Sequence, residues 1–244
     1  MQDKVALIAG GARGIGREIA LRLAGAGWSI ATCYRSSEAD ARDLTESLTA
    51  SGVRAMTVQA DVSDPAAAQR LVEQVQSEMG HIDALINSAG PYHRVPLLQE
   101  TVEGWQLMFD NNLHPVFYLS KAVAPAMMER KWGRIINFSM ANADQQIGQP
   151  AITAHYIAKS GVLILTKSLA KVLAPHNITV NAISPGFIDS GSAPPEELSK
   201  MVKNIPAGYI GGTKDAASVA CFLLSDEASY VNGANIHLSG AWGV

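Results

Sequence analysis

Between Lys4 and Gly27 the chain reads KVALIAGGARGIGREIALRLAGAG, and this stretch constrains everything after it. An apolar run, Val5 to Ala9, stops at Gly10. Gly14 and Gly16 follow, and then Ile19, Ala20, Leu23 and Ala24 recur at helical spacing. The pattern predicts a strand, a glycine turn and a helix N-terminus. The first N–H groups of a helix and its dipole favour a phosphate, and glycine lets backbone approach a ligand closely. The spacing is G-x-x-x-G-x-G rather than G-x-G-x-x-G, so by itself it also fits an ordinary strand-to-helix turn.

The rest of the chain repeats this alternation. Strands are expected at Ser29 to Tyr34, Arg54 to Gln59, Ile82 to Ile86, Arg134 to Phe138, Ile178 to Ile183 and Asn235 to Leu238. Helices are expected from Asp64-Pro65, over about Pro115 to Arg130 and Tyr156 to Leu173, and from Thr213-Lys214-Asp215. Continuous apolar strands alternating with helices predict an α/β fold with a parallel sheet buried on both faces. Such sheets place their ligand beyond the C-terminal strand ends. The glycine loop, Arg35, Asp61, Asn87 to Gly90 and Pro185-Gly186 all fall there.

With 244 residues, 48% of them hydrophobic, the chain can bury a large core. Its net charge of -3 and lack of a basic block argue against nucleic acid and anionic lipid as partners. Cys33 and Cys221 lack metal or disulfide spacing, so no metal site is expected; Cys33 suits a strand and Cys221 a helix face. No run reaches the length of a membrane span, and Met1 to Lys4 leads directly into a strand. A reduced, cytoplasmic enzyme is the simplest expectation.

Taken together, the motifs resemble the short-chain dehydrogenase/reductase family, and more narrowly its ketoacyl-carrier-protein-reductase-like branch. Ala9-Gly10-Gly11-Ala12-Arg13-Gly14-Ile15-Gly16 is similar to T-G-x-x-x-G-I-G, and Asn87-Ser88-Ala89-Gly90 to N-N-A-G. Lys159-Ser160-Gly161 is similar to K-A-G, and Pro185-Gly186-Phe187-Ile188-Asp189-Ser190 to P-G-x-x-x-T. The resemblance implies one Rossmann-like domain over residues 1–244, a doubly wound seven-stranded parallel sheet with helices on both faces, assembled as a homotetramer or homodimer. It implies a dinucleotide held by Gly10, Arg13, Gly14, Ile15, Gly16, Tyr34, Arg35, Ser36, Asp61, Val62, Asn87, Ala89, Gly90, Lys159, Pro185, Gly186, Ile188 and Ser190. The substrate it implies is a small carbonyl compound, acyl-carrier-bound in one version.

Charge bears on which dinucleotide. An acid at the end of the second strand accepts from a ribose 2′-OH, whereas arginine attracts a 2′-phosphate. Here Tyr34 takes that position and Arg35 follows, with Arg13 in the glycine loop. Glu38 and Asp40 fall off the strand end, so NADP(H) is expected over NAD(H).

The catalytic positions depart from the family pattern. The resemblance implies a tyrosine four residues before the lysine, a serine at the end of the fifth strand, and an asparagine that Asn112 matches. Reading back from Lys159 instead meets His155, with Tyr156 one place later. The serine position falls on Met140, preceded by Ser139, and the following loop is longer than the family's. In one account His155 shares a helix face with Lys159 and Tyr156 is rotated away. In the other, an irregular first turn swings Tyr156 into place. Strand alternation sends Ser139 away from any substrate that Met140 faces, unless the strand ends early. Asn142 and Asp144 are further polar candidates. Tyr92-His93-Arg94 suits either a substrate mouth or a surface loop, and Pro194 to Glu197 a short covering helix. Two functions are consistent with these residues: an NADPH-dependent carbonyl reductase, or a dinucleotide-binding sensor or assembly protein with little catalysis.

Overall fold

The computed structural model describes residues 4–191 and 195–244. The expected lead-in at Met1 to Asp3 and the expected helix start at Pro194 lie outside the described residues. The chain runs β1 (Val5–Ala9), α1 (Gly14–Gly25), β2 (Ser29–Tyr34), α2 (Glu38–Ala50), β3 (Ala55–Gln59), α3 (Pro65–Met79) and β4 (Ala84–Asn87). It continues through α4 (Val102–Asn112), α5 (His114–Arg130), β5 (Gly133–Phe138), α6 (Thr153–Leu173) and β6 (Ile178–Pro185). The last part holds β7 (Ile188–Asp189), α7 (Pro195–Val202), β8 (Gly211–Gly212), α8 (Thr213–Leu224) and β9 (Asn235–Leu238).

Seven strands form one sheet in the order β3-β2-β1-β4-β5-β6-β9, and every pairing is parallel. The order reverses between β1 and β4, where such sheets open a crevice at their strand ends. Residues of β1 alternate between two apolar clusters. Val5, Leu7 and Ala9 pack with Leu71, Val72 and Val75 of α3 and Leu119, Val123 and Met127 of α5. Ala6 and Ile8 pack with Ile19 and Leu23 of α1 and Ala216, Ala220 and Leu223 of α8. Each buried Val, Leu, Ile or Met side chain among them contributes about 1.5–3 kcal/mol, and each alanine methyl less.

Local chemistry sets the helix ends. Asp64 accepts from the backbone of Ala66 and Ala67 at 3.0 and 3.3 Å, and Pro65 pre-sets the first turn of α3. Asp215 reaches back to the Gly212 N–H at 2.7 Å to open α8. The expected boundaries shift modestly. β4 begins at Ala84 rather than Ile82, and β6 extends to Pro185. α6 is regular from Thr153, three residues ahead of the expected start, because Thr153 Oγ1 bonds the Gln149 carbonyl and the Tyr156 N–H reaches Ile152.

A buried polar ladder fixes α6 against the sheet. Asn87 Nδ2 donates to Asn137 Oδ1 at 2.8 Å, and Asn137 Nδ2 donates to Thr166 Oγ1 at 2.9 Å. Ser160 Oγ donates to the Ala143 carbonyl at 2.7 Å. The first two are buried bonds whose loss would leave an unpaired partner, and the part-buried Ser160 bond adds a third tie, so α6 is held in one register.

Candidate active site

A cleft of about 990 Å³ opens at the C-terminal strand ends. It is lined by Gly10, Arg13, Gly14, Ile15, Tyr34, Arg35, Ser36, Asp61, Val62, Ala89, Gly90, Pro185 and Ser190, all singled out from the sequence, and by Ser139. Gly10 and Gly14 line it, and Gly16 lies directly behind them. Gly10 has φ +80°, and a Cβ there would stand 2.8 Å from the Ala89 nitrogen. A Cβ on Gly16 would meet the Gly10 carbonyl oxygen at 2.3 Å. Gly14, at φ +55°, has Ser190 Cβ 3.5 Å from its missing side chain. Arg13 is the α1 N-cap in an extended conformation, and its side chain makes no cap bond. The first α1 amides therefore point at the cleft without a side-chain acceptor, which is the donor set a phosphate fits.

The two arginines are not isolated. Arg13 Nε lies 3.6 Å from Asp40 Oδ2. Arg35 Nη1 lies 4.0 Å from Asp61 Oδ2 and donates to Asn111 Oδ1 at 3.1 Å. Asp40 lies off the β2 end, as its place in the sequence predicts, yet α2 brings it to Arg13. Asp61 itself is held below the usual carboxylate range by the Ser63 hydroxyl and N–H, against its partial burial and with help from Arg35. Both pairs are solvated, so they hold the guanidinium groups loosely.

Gly16, Asn87, Gly186 and Ile188 act behind the cleft surface. Gly186 N–H bonds the Leu238 carbonyl at 2.9 Å, and a Cβ there would meet Ser239 at 2.9 Å. Ile188 packs over Gly211 in the two-stranded β7–β8 pair.

α6 brings His155 and Lys159 to one face, one turn apart. Lys159 is buried and donates to the Phe138 carbonyl at 2.9 Å, which places its ammonium under the end of β5. Burial pulls its pKa down to about 8. His155 is also buried, its ring edge-on to Tyr92 with centroids 5.1 Å apart, and its Nδ1 has no partner among the described residues. Burial, then the Lys159 charge and His93, push its pKa down to about 3, against a smaller opposite pull from the Pro91 carbonyl. His155 is therefore neutral at ordinary pH.

Tyr156 points elsewhere. Its hydroxyl donates to the Asn142 carbonyl at 2.7 Å and accepts from the Ile147 N–H at 3.2 Å. Ser139 Oγ donates to the Lys159 carbonyl at 2.8 Å. β5 ends at Phe138, so strand alternation governs neither Ser139 nor Met140, and Met140 packs against Ala143, Leu163 and Ala182. Asn112 closes α4 at the joint with α5. Its Nδ2 donates to Pro91 and Met108 carbonyls at 3.1 and 3.0 Å, while its buried Oδ1 has no partner among the described residues. Gly90 makes room for that amide, since a Cβ there would lie 2.3 Å from Oδ1.

The family model described as enoyl-(acyl carrier protein) reductase matches residues 10–241. The chain is 38% identical over 240 residues to a 3-oxoacyl-(acyl-carrier-protein) reductase of Staphylococcus aureus, covering 97% of each. The chain belongs to the short-chain dehydrogenase/reductase family. A Haemophilus influenzae relative of the same description is 37% identical over 246 residues, covering 98% of each. The fold superposes with TM-score 0.92 on a solved chain from Sinorhizobium meliloti 1021 that carries a provisional short-chain alcohol dehydrogenase title, at 30% identity, covering 99% and 97% of the two chains. Membership in this family points to an oxidoreductase working between a carbonyl and an alcohol.

Sequence reasoning overlooked Asn111, which neighbours Asn112 but turns to Arg35, and Glu100, a buried partner of His93. Neither carries a motif or a periodicity that would have marked it.

Proposed function

We propose that residues 1–244 form one doubly wound, cytoplasmic NADPH-dependent reductase, assembled as a homodimer or homotetramer, that acts on a small or acyl-carrier-bound carbonyl compound. What carries this reading is the meeting, in one cleft, of an uncapped α1 N-terminus with Arg13 and Arg35. The α1 amides suit a pyrophosphate, and the arginines suit a further phosphate on adenosine. The separate packing of alternate β1 residues against α3 with α5 and against α1 with α8 supports helices on both faces. The descriptions of the Staphylococcus and Haemophilus relatives support a 3-oxoacyl substrate.

A reduced nicotinamide, when bound, supplies a hydride to a carbonyl carbon. The protein's own contribution is to hold the dinucleotide, keep Lys159 charged beside it, and polarise the substrate oxygen with neutral His155. A neutral imidazole N–H can do this as an electrophile. The orphaned Asn112 Oδ1 suits an ordered water near α6.

A second reading has its own support. Both candidate catalytic hydroxyls, Tyr156 and Ser139, donate to backbone carbonyls, which suits a dinucleotide-binding protein with little turnover. NADPH consumption separates the two readings. It is measured with a panel of 3-oxoacyl thioesters, aliphatic ketones and diketones, for the wild type and His155→Ala. Reduction that His155→Ala abolishes, with NADPH binding intact, supports the reductase. NADPH binding without reduction of any panel member overturns it.

A further inference from the structure

Beside His155 lies a pair that the reductase reading leaves unused. His93 Nε2 and Glu100 Oε2 are 2.7 Å apart, and the Glu100 side chain is only 8% exposed against 27% for His93. The carboxylate is built in. Thr101 caps α4 by accepting from the Gly104 N–H at 2.9 Å, so Glu100 stands just ahead of the first turn, where the helix dipole favours a negative charge. A Cβ on Gly104 would lie 2.4 Å from Glu100 Oε1, so this glycine leaves the space the carboxylate occupies. The segment from Pro91 to His93 is anchored at the site: Pro91 lines the cleft and accepts from Asn112, Tyr92 meets the His155 ring edge-on at 5.1 Å, and His93 is close enough to disfavour a proton on His155. Tyr92, His93, Glu100, His155 and Lys159 are linked here through these contacts and charges.

We propose that His93, oriented by Glu100, is the proton donor to the substrate oxygen, and that His155 orients that oxygen. The inference rests on the carbonyl-reductase reading. As the carbonyl carbon takes the hydride and its electron pair, the carbonyl π pair settles on oxygen. The Nδ1–H bond of His93 breaks, its electrons stay on the ring, and a new O–H bond forms. Nε2–H stays directed at Glu100 throughout, and the ring is reprotonated from solvent, to which His93 is partly open. A Glu–His pair fixes tautomer and ring orientation in this way in general.

Three variants test it: His93→Ala, His93→Gln and Glu100→Gln. The probe is acetoacetyl-CoA with NADPH, followed in single turnovers with and without added imidazole, and NADPH affinity is measured by fluorescence titration. The cofactor-free protein is also treated with diethyl pyrocarbonate at pH about 8, and His93 carbethoxylation is followed by peptide mass spectrometry. The expected result is a loss of about 100-fold or more in both His93 variants with unchanged NADPH affinity. Imidazole should restore His93→Ala but not His93→Gln, and Glu100→Gln should slow carbethoxylation severalfold. Wild-type rates in the His93 variants overturn this inference and leave the reductase reading standing. Loss without imidazole rescue, or carbethoxylation indifferent to Glu100→Gln, assigns the pair a structural role and also overturns it. A wild type that reduces neither acetoacetyl-CoA nor any other carbonyl of the panel overturns the reductase reading and this inference together.

Discussion

The Tyr156 hydroxyl donates a hydrogen bond to the Asn142 carbonyl at 2.7 Å, and through that bond the first turn of α6 pins the loop that follows β5. The loop needs pinning, because Asn142 and Gln146 both adopt left-handed backbone, at φ 60° and 54°. A longer loop and a tyrosine one place off the family position are thus parts of one arrangement. Tyr156→Phe should lower stability by about 1–2 kcal/mol, since a buried carbonyl and the Ile147 N–H lose their partner. Turnover, if present, should change less than about threefold, well short of the effect of losing an acid–base group. Urea unfolding and steady-state rates check both; a folded variant without turnover would show that Tyr156 swings to the substrate.

Burial of neutral His155 links folding to acid. Its pKa is near 3 folded and about 6.5 unfolded, so below about 6.5 the unfolded chain binds the extra proton. His155 should therefore contribute stability above about pH 6.5 that is lost as pH falls toward 3, an effect of a few kcal/mol. Lys159 acts in a different window. Its folded value near 8 lies below the ordinary 10.5, so its buried charge costs stability below pH 8, and that cost is relieved as pH rises from 8 to 10.5. Denaturation midpoints across pH should show both slopes, with His155→Gln flattening only the acid one.

Two glycines in the same helix should respond in opposite senses. Gly16→Ala drives a Cβ to 2.3 Å from the Gly10 carbonyl oxygen and should cost about 1–3 kcal/mol along with dinucleotide affinity. Gly25→Ala has open space around it at the end of α1 and should be neutral or stabilise by up to about 1 kcal/mol. Thermal unfolding and NADPH titration of the two variants check this contrast.

Arg35→Ala should weaken NADPH about 10–100-fold and spare NADH, because a lost bond to a charged group is worth about 1.5–3 kcal/mol. Asp40→Asn should act in the opposite direction, by releasing Arg13 from its 3.6 Å ion pair. Dissociation constants for both dinucleotides with each variant measure the ratio.

Much of this fold could be read without coordinates because its strands are short runs rich in apolar and β-branched residues, several of them continuous, set between turn residues and helical patterns. Val5–Ala9, Ser29–Tyr34 and Asn235–Leu238 fall where the pattern puts them. α4 carries no comparable signal: only Met108 and Asn112 are buried along it, so no apolar stripe marks its extent. The two-residue strands β7 and β8 are below the reach of any periodicity. At the cleft, glycines and arginines announced themselves by type and spacing. The pairing of His93 with Glu100 did not, because it closes a non-repetitive loop between β4 and α4 that has no periodicity to read. The destination of the Tyr156 hydroxyl was equally hidden, since it is set by left-handed residues ten or more positions away.

Equilibrium titration of the wild-type protein with NADPH and with NADH bears most directly on the reading of the glycine cleft. Saturable NADPH binding, with NADH weaker by at least about tenfold, is the expected result. No affinity for either dinucleotide, or tighter binding of NADH, would contradict it.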